Sequence, residues 1–246
     1  ITEEHTVSVT TGRTMEEIAS GKAAKKRTAT KGTKTAKAGE GGGLRVWSGT
    51  KDARDQTDNV DPSATPGARQ TPFPASLKPQ LATLVQQAPQ SDHWVHEIKF
   101  DGYRFLAFIN KGEVQLITRN GKDWTAKFQS IADALAKFPA DSAIVDGELV
   151  AVDEAGVSKF QLLQNSLEGR ANPTLAFYAF DLVYLNGYSL KKSTLEDRKQ
   201  LLKALMQAMP TKGPIQYSEH FKESGDRVWD KACQMGLEGI ISKDLT

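Results

Sequence analysis

The chain has 246 residues, 39% hydrophobic content and a formal net charge of +2, enough apolar material for one large domain or two small ones. No apolar run approaches the roughly 20 residues of a membrane-crossing helix, and the first residues lack the charged-then-apolar order of a signal peptide, so no membrane association is expected. With Cys233 as its single cysteine and no Cys/His cluster at zinc-site spacing, the chain reads as the product of a reducing, cytosolic compartment.

The positive charge is local. Residues 1–80 hold 13 Lys/Arg against 9 Asp/Glu, leaving residues 81–246 with 19 against 21, a net −2. Within 22–45 there are eight Lys/Arg and only Glu40 to oppose them. Such a stripe attracts a polyanion, or simply keeps a linker solvated. Thr14 to Ile18 reads as one helical turn within residues 1–20, taken as the tail of a preceding module. From 21 to 74 the chain is rich in Lys, Thr, Ala, Gly, Pro and Asp without a sustained period, which predicts a disordered basic linker.

From Phe73 onward short β-rich runs alternate with a few helices. Strands are expected at 94–98, 103–109 and 114–118, the last two joined by Asn110-Lys111-Gly112-Glu113, a hairpin signal. Trp124, Phe128, Ile131, Leu135 and Phe138 recur at near-helical spacing and predict a helix over 124–138. Strands at 143–152 and 175–185 precede the turns Asp153-Glu154-Ala155-Gly156 and Asn186-Gly187. Ser193 with Glu196 reads as a capping box opening a helix to about 209. A last helix over 223–235 ends at Gly236, followed by a strand over 238–243. The fold class is α+β, with mainly antiparallel sheets flanked by helices.

Chemistry concentrates at Glu97-Ile98-Lys99-Phe100-Asp101-Gly102-Tyr103-Arg104. A lysine between two strands, ahead of a glycine that lets backbone approach a phosphate, is a candidate nucleophile. Those four central residues alone fit an exposed turn lysine as well. Strand alternation puts Asp146 and Glu148 on one face about 7 Å apart, and charge inside an apolar strand is costly unless it serves a site. The same alternation sends Phe180 and Asp181 to opposite faces. His93 and His96 are read as strand residues, not metal ligands.

Five segments in order resemble the nucleotidyltransferase motifs of the ATP-dependent DNA ligases: Glu97 to Arg104, Thr118-Arg119-Asn120-Gly121, Asp146-Gly147-Glu148, Phe177 to Leu182, and Glu238-Gly239-Ile240-Ile241-Ser242-Lys243. The resemblance covers about residues 75–246 and implies a nucleotidyltransferase (ATP-grasp-like) adenylation domain. It implies Lys99 as the nucleophile that takes AMP from ATP, activated by Arg104 and a bound magnesium or manganese ion. Glu97 would accept from the adenine amine, where guanine presents an oxygen, favouring ATP over GTP. Phe180 would stack the base. Arg104 and Arg119 would contact ribose and phosphate, Glu148 the ribose or a metal, Glu238 a second metal position, and Lys243 completes the nucleotide-binding set.

The Thr11 to Ile18 tail and the lysine-rich linker resemble the multifunctional bacterial ligases of double-strand-break end joining. That implies nicked or broken double-stranded DNA as substrate, end-binding repair proteins as partners, and a cytoplasmic, nucleoid-associated location. Family members continue into a Trp-x-Lys-x-Lys strand and an OB-fold beyond the motif containing Lys243. ATP binding and weak self-adenylation are therefore expected of this polypeptide, with little nick sealing. An RNA ligase or capping nucleotidyltransferase, and a non-catalytic fragment binding DNA or a repair partner, remain the alternatives.

Overall fold

The computed structural model describes residues 60–154 and 156–246. The helical turn expected at 14–18 and the basic stripe at 22–45 lie outside the described residues. The end of the expected linker, however, is docked. Asp61 accepts from the Ser63 amide to open a short 3-10 turn, Pro62–Ala64, and β1 (Arg69–Gln70) pairs with the edge of a sheet. Composition understated this segment because its anchors are few: Val60 and Ala68 touch the main core, and Phe73 and Leu77 cover the opposite sheet face.

The strands are β2 (Trp94–Ile98), β3 (Tyr103–Asn110), β4 (Glu113–Thr118), β5 (Ser142–Val152), β6 (Thr174–Leu185), β7 (Tyr188–Ser189), β8 (Ile215–Tyr217), β9 (His220–Phe221) and β10 (Ile240–Asp244). A seven-stranded sheet runs β1-β7-β6-β5-β3-β4, with β8 joining β6 in parallel; a separate three-stranded antiparallel sheet runs β10-β2-β9. The expected hairpin at Lys111-Gly112 and the expected turn at Asn186-Gly187 are both present, each pair at positive φ, the pairing that matches strand twist in two-residue loops.

Among the described residues four helices flank the sheets: α1 (Gln129–Leu135), α2 (Phe160–Leu167), α3 (Leu195–Gln207) and α4 (Gly225–Gln234). The helix expected over 124–138 is split. Asp123 accepts from the Thr125 backbone and hydroxyl, holding Thr125–Phe128 as a 3-10 turn before α1 begins. At α3 the cap is Thr194, whose hydroxyl accepts from the Asp197 amide. The expected Ser193/Glu196 box is off by one residue, and the Ser193 hydroxyl is buried without a partner among the described residues.

β3 is apolar on both faces, and its two neighbourhoods explain why. Phe105, Ala107 and Ile109 join the main core under α1, α2 and α3, while Leu106 and Phe108 pack with Ile144 and Tyr184 beneath Phe73 and Leu77. The second face of the large sheet therefore carries the small sheet at one end and the N-terminal strap at the other. The small sheet has its own modest core of Ile98, Phe221, Val228 and Ala232 against α4. Phe100 stacks on Tyr178 at 4.0 Å between ring centroids, which joins the two sheets.

Candidate active site

Lys99 lies where the chain leaves the small sheet for the large one, between β2 and β3. Its amide donates to the Gly239 carbonyl at 2.9 Å, tying it to the start of β10. On the other side of the crossing Asp101 accepts from the Phe160 amide at the start of α2, and Gly102 presses on β5. A Cβ at Gly102 would stand 2.2 Å from the Leu149 carbonyl oxygen, so only glycine permits this approach. The Lys99 ammonium pairs with the Glu238 carboxylate, both side chains about 40% exposed.

Beside Lys99 the large sheet presents Arg104, Asp146 and Glu148. β3 and β5 are registered so that Arg104 faces Glu148 and Leu106 faces Asp146. Arg104 grips Asp146 with two parallel bonds, Nε to Oδ1 at 2.9 Å and Nη2 to Oδ2 at 2.7 Å. Burial works against both charges; the pairing keeps the guanidinium more basic than an ordinary arginine, while Asp146 stays above the ordinary aspartate range. Glu148 makes no hydrogen bond among the described residues. Burial, reinforced by Asp146 and Asp101 and opposed by Arg104 and Lys99, pushes its carboxyl up to about 8. Gly147 between them is required by packing, since a Cβ there would lie 2.4 Å from the Phe177 ring.

Phe180 is aimed by an irregularity that alternation could not reveal. In the β5·β6 ladder Gly147 faces Ala179 and Asp146 faces Asp181, leaving Phe180 as an extra residue; a second shift follows at Ile144/Val145. These are β-bulges, which redirect side chains. Strict alternation of Phe180 and Asp181 is thus interrupted. The Phe180 ring has the Arg104 guanidinium at 5.3 Å and the Lys243 ammonium at 4.3 Å from its centroid. Asp181 pairs with Arg198 through Nε and Nη2 and still acts electrostatically on Arg104, Asp146 and Lys243.

Glu97 is held differently. Its Oε1 accepts from Lys199 Nζ at 2.7 Å; its Oε2 accepts from Ser218 Oγ and Lys243 Nζ, each at 3.0 Å. Burial alone would raise this carboxyl, but Lys199 and Lys243 more than offset it and hold it below the ordinary glutamate range. Lys243 is made less basic by burial, with Glu97 opposing.

The structure therefore gathers Lys99, Glu238, Glu148 and Arg104, and Arg104 leads through the Phe180 ring to Lys243 and Glu97. Arg119 is not drawn in: it stands exposed in the turn after β4 and makes no hydrogen bond or ion pair among the described residues. Arg104, expected to perturb Lys99, has Asp146 as its direct partner. His96 Nδ1 lies 2.9 Å from the Ser242 hydroxyl. Sequence reasoning passed over Lys199, Ser218 and Arg198. A signal for Lys199 was available: with Leu195, Leu202 and Leu205 it lies on the buried stripe of α3, where a charge needs a partner.

Comparison with known proteins places this geometry in a family. Residues 72–246 match the model of the ATP dependent DNA ligase domain. The chain is 38% identical over 192 residues to the multifunctional non-homologous end joining protein LigD of Pseudomonas aeruginosa, covering 74% of this chain and 23% of that protein. With the multifunctional non-homologous end joining DNA repair protein LigD of Mycobacterium tuberculosis H37Rv it shares 37% identity over 170 residues, 68% of this chain and 21% of the relative. It thus spans less than a quarter of these curated relatives. A solved mycobacterial DNA ligase D, in complex with ATP and MES, superimposes with a TM-score of 0.61 at 34% identity, covering 69% of this chain and 54% of that one. The agreement of family model, sequence and fold means that the chain belongs to the ATP-dependent DNA ligases and that its two facing sheets are their nucleotidyltransferase-type ligase domain.

Proposed function

We propose that the described domain is the adenylation module of an end-joining DNA ligase, with Lys99 the nucleophile toward the α-phosphate of ATP. The observation that carries this reading is the position of Lys99 at the crossing of the two sheets, paired with Glu238 and within electrostatic reach of Glu148. An ordinary lysine is ammonium at neutral pH and has no lone pair to offer. Glu238, its direct partner, is the nearest proton acceptor. Once neutral, the amine forms the P–N bond as the bond between the α-phosphorus and the bridging oxygen breaks. Pyrophosphate departs with that electron pair, and lysyl-AMP remains.

Phe180, flanked by two cations, offers a flat face for a base, and Glu97 a carboxylate acceptor for its amine. Arg104, fixed by Asp146, points a rigid guanidinium toward the same space. Arg119 is assigned to ribose or phosphate as a residue that must move inward.

The donor chemistry fits magnesium or manganese. Glu148 and Glu238 supply hard oxygens near Lys99, and among the described residues Glu148 has no hydrogen-bond partner to displace. Among the described residues no cluster of three or more His, Cys, Asp or Glu side chains could hold an ion. Two carboxylates plus phosphate oxygens are the usual share of a cation held jointly with a nucleotide. Such an ion would neutralise charge on the triphosphate as pyrophosphate leaves.

The AMP would pass to the 5′-phosphate of a nick or break in double-stranded DNA, in a bacterial cytoplasm at the nucleoid, with end-binding repair proteins as neighbours. Mass spectrometry after incubation with ATP and magnesium tests the reading, the expected result being a single AMP on the Lys99 peptide. An adduct on another residue, or label from GTP alone, overturns it.

A further inference from the structure

Lys199 is the most deeply buried lysine of the site, with 2% of its side chain exposed, and none of its three donors is idle. Its Nζ lies 2.7 Å from Glu97 Oε1, 3.3 Å from the Phe180 carbonyl oxygen and 3.4 Å from the Ser218 carbonyl oxygen. One ammonium on α3 thus spans the small sheet, through Glu97, and the bulge of the large sheet that presents the Phe180 ring. An ionised carboxylate has about four acceptor positions. Lys199 occupies one on Oε1, and Ser218 and Lys243 occupy two on Oε2, so among the described residues one position, on Oε1, carries no partner. The carboxylate also borders the ring, because Lys243 Nζ bonds Glu97 while lying over Phe180.

We infer that Lys199 is a positioning residue for base recognition, fixing the Glu97 carboxylate and the Phe180 backbone relative to each other so that one open carboxylate lone pair meets the 6-amino group of a purine stacked on Phe180. This rests on the reading of Glu97 and Phe180 as the base-binding pair. A buried ion pair is poor ground for stability by itself, since apolar replacements are often neutral, whereas a fixed and charged acceptor is what discriminates an amino group from a carbonyl oxygen. Without Lys199 the carboxyl would rotate and take a proton more readily, and a protonated acid can donate to the 6-oxygen of hypoxanthine or guanine. The other ionisable groups around Glu97 are Lys243 from β10, Tyr217 from β8 and His220 from β9.

The test is covalent labelling by ATP and by inosine triphosphate, which carries oxygen in place of the 6-amino group, between pH 4 and 8. The unmodified chain is expected to prefer ATP by about tenfold to a hundredfold, the worth of one hydrogen bond to a charged acceptor, at a ratio independent of pH. Lys199→Met, with its fold checked by circular dichroism, is expected to lower the preference to a few-fold through a higher KM for ATP with little change in kcat. Its ratio should fall further as pH decreases. Lys199→Arg should recover part of the preference. A folded Lys199→Met with the parent ratio at every pH overturns the inference and leaves the reading of Lys99 intact. If Lys199→Met does not fold, the parent profile decides: a preference that decays below about pH 5, the ordinary carboxylate range, means that Glu97 is not held as inferred. Absence of any label on the unmodified chain removes the reading of the site and this inference with it.

Discussion

Glu97 on the small sheet and Glu148 on the large sheet are both carboxylates sunk among strands, and the fold treats them in opposite ways. Glu97 receives two ammonium groups and a hydroxyl and is kept below the ordinary glutamate range. Glu148 lies opposite Arg104, but that guanidinium is already committed to Asp146, and burial pushes the acid up to about 8. The difference maps onto chemistry. In the proposed roles, an acceptor that reads the base is charged and still before any ligand arrives, whereas an acid beside the phosphates can hold its proton until a cation comes with the nucleotide and displaces it.

The sharpest way to break this division is at its centre. Lys99→Arg keeps the positive charge opposite Glu238 but offers no usable lone pair, so AMP labelling should fall by at least about a thousandfold. Calorimetry should still detect ATP binding; labelling that survives would move the nucleophile elsewhere. The same isosteric change at the two glutamates should then diverge. Glu97→Gln leaves Lys199 and Lys243 facing a neutral amide and is expected to cost roughly 2–4 kcal/mol in urea unfolding. Glu148→Gln should be neutral or slightly stabilising while reducing labelling severely. Equal destabilisation by both would erase the contrast.

Gly147→Ala forces a methyl into Phe177 and should cost about 2–3 kcal/mol, whereas Gly121→Ala, at positive φ in open space, should cost about 1 kcal/mol. Thermal melts of the two variants measure how tightly the large sheet is packed behind Asp146 and Glu148. Phe180→Leu should raise KM for ATP and inosine triphosphate alike, by roughly five- to tenfold, because stacking adds contact without reading the amino group. A change in the ratio of the two would assign identity reading to the ring.

The smallest effect concerns His220, beside Glu97 in the ladder. Burial, with Lys199 adding to it, pushes this imidazole down from 6.5 to about 4. The unfolded chain therefore binds a proton at a pH where the folded one does not. The contribution to stability is complete above about 6.5 and is lost as pH falls toward 4. His220→Asn should flatten that slope, by about 1 kcal/mol near pH 5.5, in paired urea titrations at pH 7.5 and 5.5.

Much of this was legible without coordinates. Periodicity located β2 to β6 to within a residue of their observed ends, and the positive-φ pairs at Lys111-Gly112 and Asn186-Gly187 were readable because hairpin turns demand particular residues. Short β1, β7, β8 and β9 were not, since two or three residues cannot display a period. Helix α2 was missed for a related reason: its apolar residues, Phe160, Leu162, Leu163 and Leu167, occupy only two turns.

The sequence by itself determined the order of the motifs, the α+β class and the identity of the chemical groups, because these depend on residue type and local spacing. Only the tertiary structure decided which charges meet. The bulge at Phe180, the bond between Arg104 and Asp146 across 42 positions, and Lys199 reaching Glu97 across 102 depend on sheet register and on a helix crossing both sheets. No local pattern encodes such a contact, because its energy arises from burial shared by segments distant in the chain.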